Sequence, residues 1–199
     1  MTKPLPHGAL KQALLDHAMQ AARSGTLDDL SLRQVSRTLG VSAGAAYRHF
    51  ADKDALMRRV AQLGFDQMAD AFEAALPWAS TAASAEEAIA RFTGLARAYV
   101  RFAQENYGLW RLMFGPHGLP GTPAPEARPS TYDWLGKSLR ELADQGVIAP
   151  PDAAAQFFAW TTIHGLSDLQ ASPAVTGTKA DVTAAQCRLI LAALRPATS

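Results

Sequence analysis

Residues 31–56 read SLRQVSRTLGVSAGAAYRHFADKDAL, and their spacing decides the fold. Ser31 precedes Gln34 at capping-box spacing and opens a helix that carries Leu32, Val35 and Leu39 on one side. Gly40 closes that helix, since a glycine takes the left-handed backbone of a tight turn without a Cβ penalty. Ser42 caps a second, very short helix that ends near Phe50, and Asp52 caps a third. Two short helices joined by Leu39-Gly40-Val41-Ser42 form a helix-turn-helix pattern. Val35, Leu39 and Val41 pin the pair together, which leaves the start of the second helix free to enter a major groove.

Outward from this block the chain stays helical. Upstream, Leu10, Leu14, Ala18 and Ala21 repeat at helical spacing as far as Gly25. Downstream, the helix from Asp52 carries Leu56, Val60, Leu63, Met68 and Phe72 and stops at about Leu76, before Pro77. Ser84-x-x-Glu87 opens another helix with Ile89, Phe92, Ala96, Tyr99 and Ala103, and a shorter one holds Leu109, Leu112 and Met113. Residues 115–130 hold five prolines and three glycines, which predicts a mobile loop. Helices at about Tyr132 to Gln145, Ala153 to Gln170 and Asp181 to Arg195 complete the chain. No stretch alternates with a period of two, so the fold class is all-α: a three-helix head and a larger helical body, about nine helices in all. The expected domains are 1–55 and 56–199, connected by the helix from Asp52 to about Leu76.

Composition agrees. Apolar residues make up 48% of the 199 and charged residues 19%, which excludes the disordered class. The longest apolar runs, Phe157–Trp160 and Leu189–Leu194, are far too short to span a bilayer, and the Pro-interrupted, charged start argues against a signal peptide. A cytoplasmic protein with no membrane partner is expected. A lone cysteine, Cys187, excludes an internal disulfide framework and any multi-cysteine metal site; on an apolar helix it reads as a small buried hydrophobe. The net charge of +1 hides an asymmetry. Residues 1–60 hold nine Lys/Arg against five Asp/Glu, whereas the remainder hold ten against thirteen, so the head is the part suited to a polyanion.

Side chains in the block fit a nucleic-acid partner. Tyr47 and His49 end the second helix, where a hydroxyl and an imidazole can donate to phosphate oxygens. Lys53 lies in the first turn of a helix, where a cation costs about 0.3–1 kcal/mol against the dipole unless a phosphate binds there. The run SLRxVxRxLGVS, the GxxYRHF helix and the DKDAL start resemble the TetR family of transcriptional regulators over residues 7–65. The resemblance implies a homodimer, closed through its last two helices, that places one recognition helix per subunit in a palindromic double-stranded DNA operator. By position, Arg33 would reach a base edge or the backbone, Ala43, Gly44 and Ala45 would face bases, and Tyr47, His49 and Lys53 would hold phosphates. Ser42 and Arg48 complete the DNA-facing set. Alanines cannot make bidentate hydrogen bonds, so Arg33 and Arg48 are the strong donors for guanine, and DNA shape carries more of the readout. Arg48 reads equally well as a surface cation.

The body lacks any G-x-S-x-G, glycine-rich phosphate loop or H-E-x-x-H, so neither an enzyme nor a metal or cofactor site is expected. Its aromatics pack a core at helical spacing, yet they are numerous enough to line a small-molecule cavity as well. The candidates are Phe92, Phe102, Trp110, Met113, Phe114, Trp134, Phe157, Trp160 and His164. Trp160-Thr-Thr-Ile-His164-Gly165 resembles the W-x-x-x-H-G signature of one TetR C-terminal subgroup, as do the LWRLMFGP run at 109–116 and His7-Gly8. Trp160 and His164 share a helix face, His164 reads as a hydrogen-bonded structural residue, and Gly165 permits close approach of another backbone. The function expected is a repressor released from its operator by an unknown small-molecule effector. The alternative is a constitutive DNA-binding or architectural dimer with a filled body.

Overall fold

The computed structural model describes residues 9–27, 29–116, 118, 129–173 and 181–196. The proline- and glycine-rich loop, His7-Gly8 and His117 lie largely or wholly outside them. Among the described residues there are nine helices and no strand: α1 (Ala9–Ser24), α2 (Leu32–Thr38), α3 (Ala43–Tyr47), α4 (Lys53–Ala75), α5 (Ala85–Glu105), α6 (Tyr107–Met113), α7 (Thr131–Asp144), α8 (Ala153–Ala171) and α9 (Val182–Ala193).

Side-chain caps set most of the helix starts. Ser31 Oγ accepts from Gln34 N at 3.1 Å, Ser42 Oγ from Ala45 N at 3.3 Å, and an Asp52 carboxylate oxygen from Ala55 N at 2.6 Å. Each satisfies an amide that the helix leaves without an internal acceptor. Ser84 Oγ caps Glu87 N at 3.2 Å, while the Glu87 carboxylate reaches back to Ala83 N at 2.8 Å. α7 starts on a full capping box that the sequence reading missed. Ser130 Oγ accepts from Asp133 N, and the Asp133 carboxylate accepts from Ser130 N at 2.7 Å. Asp stands there in place of the usual Glu or Gln, which hid the signal.

The chain forms two compact units. The first takes the chain as far as Asp66 and the segment that begins at Asn106; the second takes Gln67–Glu105 and the helices from α7 onward. The division therefore falls inside α4 instead of at 55/56, and α6 belongs with the N-terminal helices. In the first unit α2 packs on α3, and α1 packs on α2, α3 and α6, around Leu14, Val35, Ala46, Leu56 and Val60. Gly108 is what lets α6 approach α1. A Cβ there would lie 2.0 Å from the Ala22 carbonyl oxygen, a backbone atom that cannot step aside.

In the second unit α5 is the hub, packed against α7, α8 and α9. Its sequence explains why: Phe92, Ala96, Tyr99 and Ala103 recur every three or four residues and are all buried. Arg91 of α5 clasps Glu141 of α7 through Nε at 2.8 Å and Nη2 at 3.1 Å, and donates to Ser80 through Nη1 at 2.9 Å. Lys137 Nζ meets the same carboxylate at 2.6 Å and also donates to the Ser80 carbonyl. Burial alone would push Glu141 up, but its bonds to Arg91 and Lys137 and their charges outweigh it and hold the carboxyl below its ordinary range. Cys187 is buried, and burial pushes its thiol up to about 11, as an inert packing residue requires.

Candidate nucleic-acid interface and body cavity

The turn between α2 and α3 is closed by two backbone hydrogen bonds. Gly40 N donates to Arg37 O at 3.1 Å and Val41 N to Ser36 O at 2.9 Å, with Gly40 at φ +70°. This pair of bonds is the Schellman arrangement, and it requires the left-handed residue that glycine supplies. Ser36, buried beside it, donates its hydroxyl to Leu32 O at 2.6 Å and so leaves no polar group unpaired under the turn.

α3 has two faces. Ala46 is fully buried, and Gly44, Tyr47, Arg48 and the following His49 are exposed, with Ala43 partly so. Ala45, expected to face a base, is only 8% exposed and turned inward. At 100° per residue, positions 43, 44, 47 and 48 span one arc, and 45 and 46 fall on the opposite one. The outward surface is thus Ala43, Gly44, Tyr47 and Arg48. A Cβ on Gly44 would meet nothing within 4 Å, so the middle of this face is open among the described residues.

The cations stand around that face. Arg33 and Arg37 are one turn apart on the exposed side of α2, and neither they nor Arg48 form an ion pair among the described residues. Arg37 was overlooked in the sequence, although its i+4 spacing from Arg33 marks it as the second donor of one stripe. Lys53 is half-buried at the first position of α4, between Asp52 and Asp54, whose carboxylates relieve the cation's clash with the helix dipole. Ser42 spends its oxygen on the cap but keeps an exposed hydroxyl proton to donate.

In the second unit a cavity of about 40 Å³ lies among α4, α5, α7 and α8. Phe72, Phe92, Tyr99, Leu135, Trp160 and Ile163 form much of its wall. Of the residues expected there, Phe92 and Trp160 line it and seven do not. Trp110 and Met113 are buried in the first unit, where Phe114 packs edge-on against Phe65 with centroids 5.3 Å apart. Trp134 is buried one layer behind the wall, against Phe72 and Trp78. Phe102 is buried in α5 away from the cavity lining, and Phe157 is 55% exposed. The sequence missed Phe72 and Tyr99 as wall residues because periodicity gives a helix face but not the helix it meets.

His164 stands behind the wall. Its Nδ1 is 3.0 Å from the Tyr99 hydroxyl, which also accepts from Trp160 Nε1 at 3.1 Å. An indole N–H can only donate, so the arrangement that satisfies all three has Tyr99 donating to Nδ1 of a neutral imidazole. Burial holds His164 below its ordinary value, against the pull of Asp168, and pushes the Tyr99 hydroxyl far up, both of which keep the trio uncharged. The hydrogen-bonded role expected of His164 is therefore seen. Gly165 is different: a Cβ there would meet nothing within 4 Å, so no backbone among the described residues approaches it.

A capped helix-turn-helix with an exposed cationic face, followed by a helical bundle, defines a DNA-binding transcriptional regulator. Known proteins specify it further. Residues 14–60 match the model of bacterial regulatory proteins of the tetR family, and residues 92–194 match the tetracyclin repressor-like C-terminal domain. The chain belongs to the TetR family, whose members are transcriptional regulators and not enzymes. Its fold is similar to that of a protein with unknown function from Rhodococcus sp. RHA1, at 33% identity and TM-score 0.78, covering 98% of this chain and all of that one. The TetR-family regulator PfmR of Thermus thermophilus shares the fold at 23% identity and TM-score 0.60, covering 92% and 99%. A TetR-family regulator of Haemophilus influenzae RD does so at 13% and 0.63, covering 97% and 100%. No curated protein matches the sequence. Among the described residues no helix is long and apolar enough to cross a membrane, and no cluster of three or more His, Cys, Asp or Glu could hold a metal.

Proposed function

We propose that this chain is a ligand-responsive repressor, a cytoplasmic homodimer that leaves a palindromic operator when a small molecule enters the body. The observation that carries the reading is α4. Its first turns hold Leu56, Met57 and Val60 in the core of the DNA-binding unit, and its later turns put Met68 into the body and Phe72 into the cavity wall. A ligand that favours one placement of Phe72 acts on a helix that continues into the head, and it shifts the population only by its differential affinity for the two states.

The dimer is proposed to close through α8 and α9. From Ala153 to Ala171 the only Asp, Glu, Lys or Arg is Asp168, and a helix apolar on most sides needs more cover than one bundle gives it. Its exposed stripe runs Ala154, Phe158, Thr161, Gly165 and Leu169, and α9 adds Leu189, 63% exposed. In this setting Gly165 would admit a partner's helix. On DNA, Arg33, Arg37 and Arg48 would supply the strong donors and Ser42, Tyr47, His49 and Lys53 the phosphate contacts. Ala43 and Gly44 would allow close approach to bases.

The test is selection of bound sequences from random duplex DNA at physiological salt, repeated with Leu189→Lys. A palindrome with half-site centres about 34–36 Å apart is expected. It should vanish together with the dimer in sedimentation of the variant. A motif without symmetry, retained by a monomeric variant, would overturn the dimeric operator reading.

A further inference from the structure

Resting on the reading of the body as an effector domain, we infer that the cavity takes an uncharged, compact, largely aromatic or aliphatic molecule with at most one or two polar atoms, and that Trp160 is the side chain it passes. Three observations carry this. None of the described residues lining the cavity is an Asp, Glu, Lys or Arg, so a carboxylate or ammonium would enter with no counter-ion and lose its hydration. The polar atoms that Tyr99 and Trp160 bring to the wall are already bonded to each other and to His164. Thr131 is then the lining residue whose hydroxyl makes no side-chain hydrogen bond among the described residues, and it can donate to or accept from one polar group.

The third observation concerns the way in. Trp160 is partly exposed and lines the cavity, while its ring packs at 6.0 Å from that of Tyr132 and 5.7 Å from that of Phe157. Tyr132 and Phe157 are 40% and 55% exposed, so an aromatic rim leads from the surface of this chain to the same indole that lines the pocket. At about 40 Å³ the cavity is smaller than an apolar cavity of roughly 150 Å³ that binds benzene. Entry of a ring therefore requires the wall to widen, and Trp160, partly exposed beside the rim, is the lining side chain that can swing aside. The ligand class and the gate follow from the same walls.

The experiment uses the full chain and three probes with one ring: toluene, benzyl alcohol and benzoate. Binding is followed by ligand-observed saturation-transfer NMR and by calorimetry, with contacts from ligand protons to the Ile163 and Leu135 methyls locating the site. Toluene and benzyl alcohol are expected to bind, and benzoate to bind weaker by about tenfold or more. Ala159→Leu, which adds volume at the wall, should abolish binding of both neutral probes. Ala96→Leu on the facing helix repeats the test should the first variant not fold. Benzoate binding as tightly as benzyl alcohol would overturn the inference, as would a lack of binding by both neutral probes or unchanged binding in a folded filled variant. Operator affinity is read in parallel. A neutral probe that binds at the cavity without weakening the operator complex keeps the ligand class and removes the release mechanism. Release by benzoate while the neutral probes fail to bind does the reverse.

Discussion

The two units use positive charge in opposite ways. In the head, Arg33, Arg37 and Arg48 stand in solvent without an ion pair among the described residues. In the body, Arg91 and Lys137 have side chains only 11% and 15% exposed, and both converge on Glu141 and Ser80, with Lys137 also 5.7 Å above the Trp78 ring. A cation meant for a polyanion must remain solvated until the partner arrives, so it contributes about 0–1 kcal/mol to its own fold. A cation that joins two helices is desolvated for good and is held only by its counter-charge. The head can therefore lose charges and stay folded, and the body cannot.

The sharpest way to break this contrast is to remove the counter-charge. Glu141→Ala leaves two desolvated cations without a partner and should cost about 3–5 kcal/mol in urea unfolding, with the selected DNA motif unchanged. An unmoved unfolding midpoint would reduce the cluster to a surface pair. The same carboxylate gives the body a pH dependence. Its folded pKa lies below the unfolded value of about 4.3, so its contribution is complete above that pH and is lost as pH falls through the lower folded value. Unfolding of Glu141→Gln should be flatter over that acid window than unfolding of the parent chain.

On the head side the expected losses are in binding. Arg33→Ala should weaken the operator complex by about 1–3 kcal/mol and relax preference at one base position, with folding unchanged; an identical selection motif would remove it from the readout. Gly40→Ala tests the scaffold. Forcing a Cβ into φ +70° should cost the first unit about 1–2 kcal/mol, measured by thermal unfolding and carried into DNA affinity through α3. The smallest effect expected is that of Lys53→Ala, which should lower affinity alike on all sequences and flatten the salt dependence by about one unit of slope. A loss confined to certain operators would make Lys53 a specificity residue.

Much of the head was legible because its signals are local. Ser31, Ser42 and Asp52 cap helices within three residues of themselves, and Gly40 needs only its own φ. Ala45 shows where local reading stops. Which arc of a five-residue helix faces inward depends on α1 and α2, and these take Ala45 and Ala46 into the core. The cavity was less legible still. Trp110 and Met113 belong to a segment that follows α5 in sequence but packs on α1, so aromatic content alone misplaced them.

By itself the sequence determined the helices, their caps, the turn at Gly40 and the basic bias of the first sixty residues, because each depends on neighbours a few positions away. Tertiary structure alone decided that Arg91 would meet a carboxylate fifty residues on, that Tyr99 would join Trp160 and His164, and that Phe72 would reach the cavity wall. A helix carries its apolar stripe in its own period, but its partner, and the space left between them, are fixed only when several stripes compete for the same core.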